Sequence, residues 1–273
     1  VSYIGAPGEV DLALNNDAPG DVYDTRYSNP ATDADALEAY CNLIYATTLS
    51  CQDKGWNVVS AAPLNEPDYT FNGQGSKEDF LAIAKKLKTD YPQYNDNSIR
   101  ISGGNTLNCD EALPWYEFLS DYIDEGNTHQ LAGDFNHYAD FFSTVRADGK
   151  YATADELHNV MEAMVGVEYG MQTGIWWGTA ELARGEFCKA SFGERLAYAE
   201  NRKAWTSAAV YRSPQGKTQA FVGSSERQAK PSSYRFVSTD RDVFFDGHGP
   251  QREYVVETPG GEGYQVEGQT NAE

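Results

Sequence analysis

Apolar positions along most of the chain follow two spacings in turn: short continuous or alternating runs, then longer stretches in which they recur every three to four residues. The runs "VSYIG" and "EVDLAL" read as strands and lead into a polar loop rich in Asp and Asn from Asn15 to Thr32. Asp33 to Lys54 predicts a helix with Leu37, Tyr40, Leu43, Ile44 and Leu49 on one side, closed by Gly55 as a left-handed cap. "WNVVSAA" is the next strand. Ser76 with Asp79 forms a capping box that opens a helix to Asp90, and "SIRISGG" follows as a strand. A helix from Glu111 to Asp124, ended by Gly126, leads to the strand "HQLAGDFNHY". A short strand "KYATADE", an amphipathic segment from Leu157 to Met171 and the strand "GIWWG" complete this series.

Strands trading places with helices indicate βα units around a parallel sheet, an α/β fold. Arg195 to Tyr211 predicts one more helix. Beyond it "KTQAFVG", "SYRFVS", "DVFFDG" and "REYVVET" alternate in apolar character between Gly, Pro, Ser and Asp, which predicts a small antiparallel β unit with a boundary near Ser213. The Gly-rich "TPGGEGYQVEGQ" reads as a linker toward an additional C-terminal domain.

Composition narrows the partners. The chain has 273 residues, 40% of them apolar and 13% aromatic, with 18 Tyr and 5 Trp. That suits a substantial core and stacking on flat ligands. Forty-one acidic against 21 basic residues give a formal charge of −20, a field that repels nucleic acid and anionic lipid. No stretch reaches the roughly 20 apolar residues that cross a bilayer. The four cysteines, at 41, 51, 109 and 188, lack C-x-x-C spacing and are expected as buried thiols. There is no phosphate-cradling Gly-rich loop, no G-x-S-x-G elbow and no zinc-type His or Cys cluster, so no cofactor or metal is expected. Asp17, Asp21 and Asp24 lack the ligand spacing of a calcium loop and read as solvated.

One stretch asks for chemistry. In "SAAPLNEPDY" an apolar strand ends in Asn, Glu and Pro, although Pro63 and Pro67 can make the turn without a carboxylate. In a (β/α)8 barrel, reactive groups stand at the C-terminal ends of the strands. Glu66 stands at such an end, and so does Glu156 if "KYATADE" is a strand. Two glutamates at barrel strand ends can be held about 5 to 5.5 Å apart, the separation used by retaining glycosidases.

Here the chain resembles the clan A glycoside hydrolases, on "LNEP" after a strand and on the Trp pair of "GIWWG" downstream. The resemblance covers roughly residues 1 to 180 and implies a two-glutamate retaining hydrolase of polysaccharide. Glu66 would be the acid/base, Asn65 would hold a sugar hydroxyl, and Trp176 or Trp177 would lie under the reacting sugar. "GKYATADELHN" becomes barrel strand seven with Glu156 as nucleophile, and "GDFNHY" becomes strand six, from which His137 or Tyr138 would hydrogen-bond the nucleophile. A secreted or periplasmic protein is the corresponding expectation.

Thr153 to Glu156 is also a good helix-capping box, and under that reading "GIWWGTAELARGEF" is strand seven, Glu181 the nucleophile and "TQAFVGSSER" strand eight. Asp155, Glu186 and Glu226 remain further alternatives. The expected organisation is a partial (β/α)8 catalytic barrel over 1–212, short of about two N-terminal βα units, then an antiparallel unit over 213–258 and a linker over 259–273. A non-catalytic carbohydrate-binding barrel, or an inactive fragment, is the rival expectation.

Overall fold

The computed structural model describes residues 3–4, 9–13, 29–69, 74–225, 229–245 and 248–259. Asp17, Asp21, Asp24, Glu226 and all but the first residue of the expected linker lie outside the described residues. The chain divides into two compact units. One comprises residues 4–156 and 169–175, the other residues 1–3, 157–168 and 176–273.

The first unit is built on parallel strands. β2 (Glu9–Ala13), β3 (Asn57–Ala62), β4 (Arg100–Asn108), β5 (Glu125–Ala132) and β6 (Tyr151–Leu157) pair in chain order, each parallel to the next. They form a curled half-barrel, short of a full (β/α)8 barrel. β7 (Thr173–Trp176) and β1 (Tyr3–Ile4) extend the same sheet beyond β6, giving the order β1-β7-β6-β5-β4-β3-β2. The middle strands are buried along nearly their whole length, as parallel strands covered by helices must be.

The helices follow from their caps and apolar stripes. α1 (Ala34–Asp53) starts at Asp33, whose carboxylate accepts from the amides of Asp35 and Ala36. It buries Tyr40, Cys41, Ile44, Thr48 and Cys51, whereas Leu43 and Leu49 stay 40% exposed, so the buried stripe is rotated from the expected one. α2 (Lys77–Asp90) opens with the Ser76–Asp79 capping box and buries Phe80, Ile83, Ala84 and Leu87. A single turn, α3 (Pro92–Asn95), leads to β4. α4 (Cys109–Leu119) and α5 (Phe135–Ala147) cover β5 with edge-on rings, Tyr116 against Phe141 at 6.1 Å and Phe141 against Phe142 at 5.3 Å.

Two sequence expectations are corrected here. The helix expected to end at Gly126 stops at Leu119, and Gly126 lies inside β5, where a side chain has no room. The strand "HQLAGDFNHY" is really two elements: β5 ends at Ala132, Gly133 turns the chain at φ +106°, and Asp134 caps α5 by accepting from the amide of Asn136. His137 and Tyr138 are therefore helical.

The second unit is mainly antiparallel. α6 (Val160–Tyr169) falls mostly within it and is opened by a reciprocal pair, Asn159 accepting from the Glu162 amide at 3.1 Å while Glu162 accepts from the Asn159 side chain at 2.7 Å. The helix expected over Arg195 to Tyr211 is instead a hairpin of β8 (Glu194–Asn201) and β9 (Thr206–Arg212), and β10 (Thr218–Ser224) pairs β9 on its other edge. Trp205 takes a left-handed turn at φ +53° between the first two strands, and Thr, Val and Tyr in β9 favour the extended state. α7 (Leu182–Ser191) lays Phe187 edge-on against Tyr211 and Phe221. Two smaller pairs follow, β11 (Ser232–Val237) with β14 (Glu253–Thr258) and β12 (Val243–Phe245) with β13 (His248–Gln251). Among the described residues all four cysteines are free, and no helix is long and apolar enough to cross a membrane.

A Cβ added at Gly126 would lie 2.6 Å from a Val145 methyl carbon, 3.1 Å from Phe141 and 3.2 Å from Tyr116. Gly126→Ala is expected to cost about 1–3 kcal/mol through overpacking of β5 against α4 and α5. Chemical denaturation checks this, and an unchanged midpoint would mean that the helices can give way.

Candidate active site

The site is assembled where β3, β4, β5 and β6 end. After β3 the chain turns through Pro63, Leu64 and Asn65 into Glu66, whose backbone is left-handed at φ +50°. A glutamate adopts that conformation only when its surroundings hold it there. Four hydrogen bonds do so. The Glu66 amide donates to the carbonyl of Asn105 at 2.9 Å, and the amide of Tyr69 donates back to the Glu66 carbonyl at 3.0 Å. Two residues on, Asp68 accepts from the amides of Leu107 and Asn108 at 2.8 and 2.9 Å, tying the turn to the end of β4. Burial pushes the Asp68 carboxyl above its usual range, against the pull of those amides.

Asn105 is itself left-handed at φ +50°, next to Gly104 at φ +93° and beside an irregularity in the pairing of β4 with β5. The break in the ladder presents its carbonyl to Glu66 while its side-chain amide donates to Asp155 on β6 at 3.3 Å. Asp155 is also fixed through its main chain, whose amide donates to Asn127 at 3.3 Å.

At the centre stands His129 of β5, 1% exposed. Its Nδ1 lies 2.9 Å from Glu66 Oε1 and its Nε2 lies 2.8 Å from Asp155 Oδ1. Glu156 Oε2 is 3.8 Å from the same Nδ1. Burial opposes a charged imidazole, but hydrogen bonds to Asp155 and Glu66 and the charges of Asp155 and Glu156 outweigh it, so His129 holds its second proton well above the usual histidine range. Oxygens of Glu66 and Glu156 approach within 4.8 Å of each other. The two residues stand three strand spacings apart, about 14 Å in a flat sheet, so the curl of the sheet is what brings them together.

Glu66, His129 and Glu156 present donor atoms close enough together for one cation. Holding one would require Nδ1 to give up its proton while Nε2–H stays on Asp155. Deeper along the same strands Glu125, 1% exposed, takes Arg100 Nε at 2.8 Å, and that guanidinium lies 4.0 Å from the Tyr151 ring centre. Beside the Glu66 turn a cleft of about 660 Å³ opens between Pro67, Asp68, Tyr69, Leu107, Asn108 and Glu111. Glu66, His129 and Glu156 do not line it; it begins at the residue after Glu66.

The sequence candidates separate clearly. Glu66 and Glu156 are together, and Asn65 is half-buried in the turn before Glu66. His137 and Tyr138, expected on strand six beside the nucleophile, are on α5: His137 is 53% exposed at its side chain and bonds Asp110, and Tyr138 is fully enclosed against Phe142. His129 occupies the strand position assigned to them. In the other unit Trp176 is buried, its indole donating to Cys188 Sγ at 3.1 Å, while Trp177 is 65% exposed. Glu181 is exposed at the N-terminus of α7, where it accepts from Thr179, so "GIWWGTAELARGEF" is a short strand, a turn and a helix. "TQAFVGSSER" contributes the antiparallel β10. Glu186 lies on α7 among Lys189, Lys217 and Gln219.

No protein-family model matches the chain, and no curated protein matches it. Solved structures do. A GH30 endoxylanase from Clostridium papyrosolvens C71 is similar at 13% identity and a TM-score of 0.49, over 90% of this chain and 73% of that one. An endo-beta1,6-glucanase is similar at 13% identity and a TM-score of 0.49, over 83% of this chain and 61% of that one. The chain thus spans under two thirds of the length of the glucanase.

The raised proton affinity of His129 gives a signed prediction. Its contribution to stability is complete below about pH 6.5, the unfolded value, and is lost as pH rises through the higher folded value. Melting temperatures of the protein and of His129→Gln should therefore differ most near pH 6 and converge in the alkaline range. A gap that widens with pH would contradict the charged state.

Proposed function

We propose that the protein is a retaining O-glycoside hydrolase that cleaves β-glycosidic bonds of a polysaccharide through Glu66 and Glu156. The observation that carries this reading is the approach of their carboxylate oxygens to within 4.8 Å at the ends of parallel strands. That separation favours the retaining pair, held about 5 to 5.5 Å apart, over the inverting pair, which needs about 6.5 to 9.5 Å to admit a water between acid and base. The parallel half-barrel with its reactive groups at C-terminal strand ends fits a (β/α)8-type scaffold lacking part of its circle.

In the first step Glu66 gives its proton to the glycosidic oxygen while the Glu156 carboxylate attacks the anomeric carbon. The leaving sugar departs as an alcohol and a glycosyl ester remains on Glu156. In the second step Glu66, now a carboxylate, takes a proton from water as that water attacks the same carbon, and Glu156 is released. The cleft beside the Glu66 turn is where the leaving group would lie, with the ring of Tyr69, 44% exposed, as a stacking surface. Trp177 offers a second exposed ring for sugar on its own unit.

Release of reducing sugar from a panel of β-linked polysaccharides tests the proposal. Glu66→Gln and Glu156→Gln are each expected to lower kcat on the responsive polysaccharide by about 10²–10⁴, with the first-formed product retaining its anomeric configuration by NMR. Full activity in Glu66→Gln, or an inverted product, would sink it. Binding without turnover would point to a carbohydrate-binding barrel instead.

A further inference from the structure

The array around His129 contains a member that the two-glutamate scheme leaves without a task. Asp155 is 8% exposed at its side chain, precedes Glu156 on β6 and accepts at 2.8 Å from the imidazole nitrogen remote from Glu66. Its other oxygen accepts from Asn105 and its amide donates to Asn127, so β4 and β5 both orient it.

We infer that Asp155 is a positioning residue for proton donation: by gripping Nε2 of His129 it aims Nδ1–H at Glu66 and so governs when Glu66 releases its proton. The inference rests on the glycosidase reading of the site. Ionised carboxylates only accept hydrogen bonds, so a ring with a carboxylate on each nitrogen satisfies both contacts in two ways. Both nitrogens carry protons in each: Glu66 is ionised in one, and in the other it holds its own proton on Oε2 while Oε1 accepts from Nδ1–H. Asp155 is the partner common to both states. As Glu66 hands its proton to the leaving oxygen, a carboxylate is left beside Nδ1–H at 2.9 Å, and that contact strengthens as the charge develops.

Other charges at the ring do not remove this role. Glu66 and Asp68 face His129 from the turn after β3, and Asp155 and Glu156 face it from β6; β4 contributes the neutral Asn105. These four ionisable neighbours are all acidic. Among the described residues only Asp155 contacts Nε2, with Glu66 and Glu156 on the Nδ1 side.

Asp155→Asn keeps an acceptor for Nε2–H but removes the charge that holds the second proton on the ring. A neutral imidazole no longer stabilises the Glu66 carboxylate, so the alkaline limb of kcat/KM should move to higher pH, by about one unit. Turnover of polysaccharide, whose leaving alcohol needs the proton, should fall about tenfold or more. Aryl glycosides with an activated phenolate leaving group should be hydrolysed within about threefold of the parent rate, because little proton transfer is needed there. Asp155→Glu, which retains the charge, should keep the parent pH profile. ¹⁵N NMR of the parent protein should find His129 doubly protonated at pH 7.5, where an ordinary histidine is neutral.

A limb that stays in place in Asp155→Asn, with equal loss on both substrate classes, would overturn the inference, as would a neutral His129 in the parent at pH 7.5. The NMR result decides even if Asp155→Asn fails to fold. Failure of the glycosidase reading is distinguished by an inactive parent or an active Glu66→Gln, whereas the His129 titration is read in the parent protein whichever of these is found.

Discussion

Three carboxylates cannot be gathered in a space nearly closed to water unless something positive sits among them. Here that is His129, enclosed by β5 and its neighbours, with Glu66 and Asp155 on its two nitrogens and Glu156 close by. Each acidic group taken alone would resist burial in its charged form, and so would the imidazole. Together they tolerate it, because each supplies the hydrogen bond and the opposite charge that the next one lacks. Removing one partner of such a buried pair typically costs about 3–5 kcal/mol, so the array contributes to the fold as well as to the chemistry proposed for it.

Much of the rest of the first unit serves to make that convergence possible. Parallel strands set neighbouring side chains about 4.8 Å apart, and only a curled sheet brings the end of β3 to the end of β6. Small residues let the helical layer sit close to the sheet. Ile123 occupies the space in front of Gly103, and Val145, Phe141 and Tyr116 occupy the space in front of Gly126. The irregularity at Gly104 and Asn105 turns one carbonyl toward the Glu66 turn and one amide toward Asp155. Backbone that leaves the regular ladder is thereby used to fix two acidic residues at once.

How much of this was legible in the sequence depended on which signals were local. Alternation and caps were local: Asp33, the Ser76–Asp79 box and the strands at Asn57 and Tyr151 fall where the pattern placed them. The Glu66 and Glu156 strand ends followed from those strands. His129 did not, because the local pattern of "HQLAGDFNHY" reads as one strand, which puts the strand end at the wrong residue. The corrective signal was present. Gly133 followed by Asp134 is a turn and a helix cap, and ending the strand there puts His129 near the reactive end. The Arg195–Tyr211 hairpin was hidden for a different reason: alanines favour a helix on their own, and the pairing of β9 with β8 and β10, which overrides them, is a property of segments the local window does not see.

The left-handed backbone at Glu66 carries a consequence of its own. Glycine and asparagine occupy such a conformation more comfortably than glutamate does. A chain selected for stability alone would therefore drift away from glutamate here, and one selected for a carboxylate at this spot must tolerate a strained residue at the point where two strands meet. Robustness and chemistry pull this single position in opposite directions.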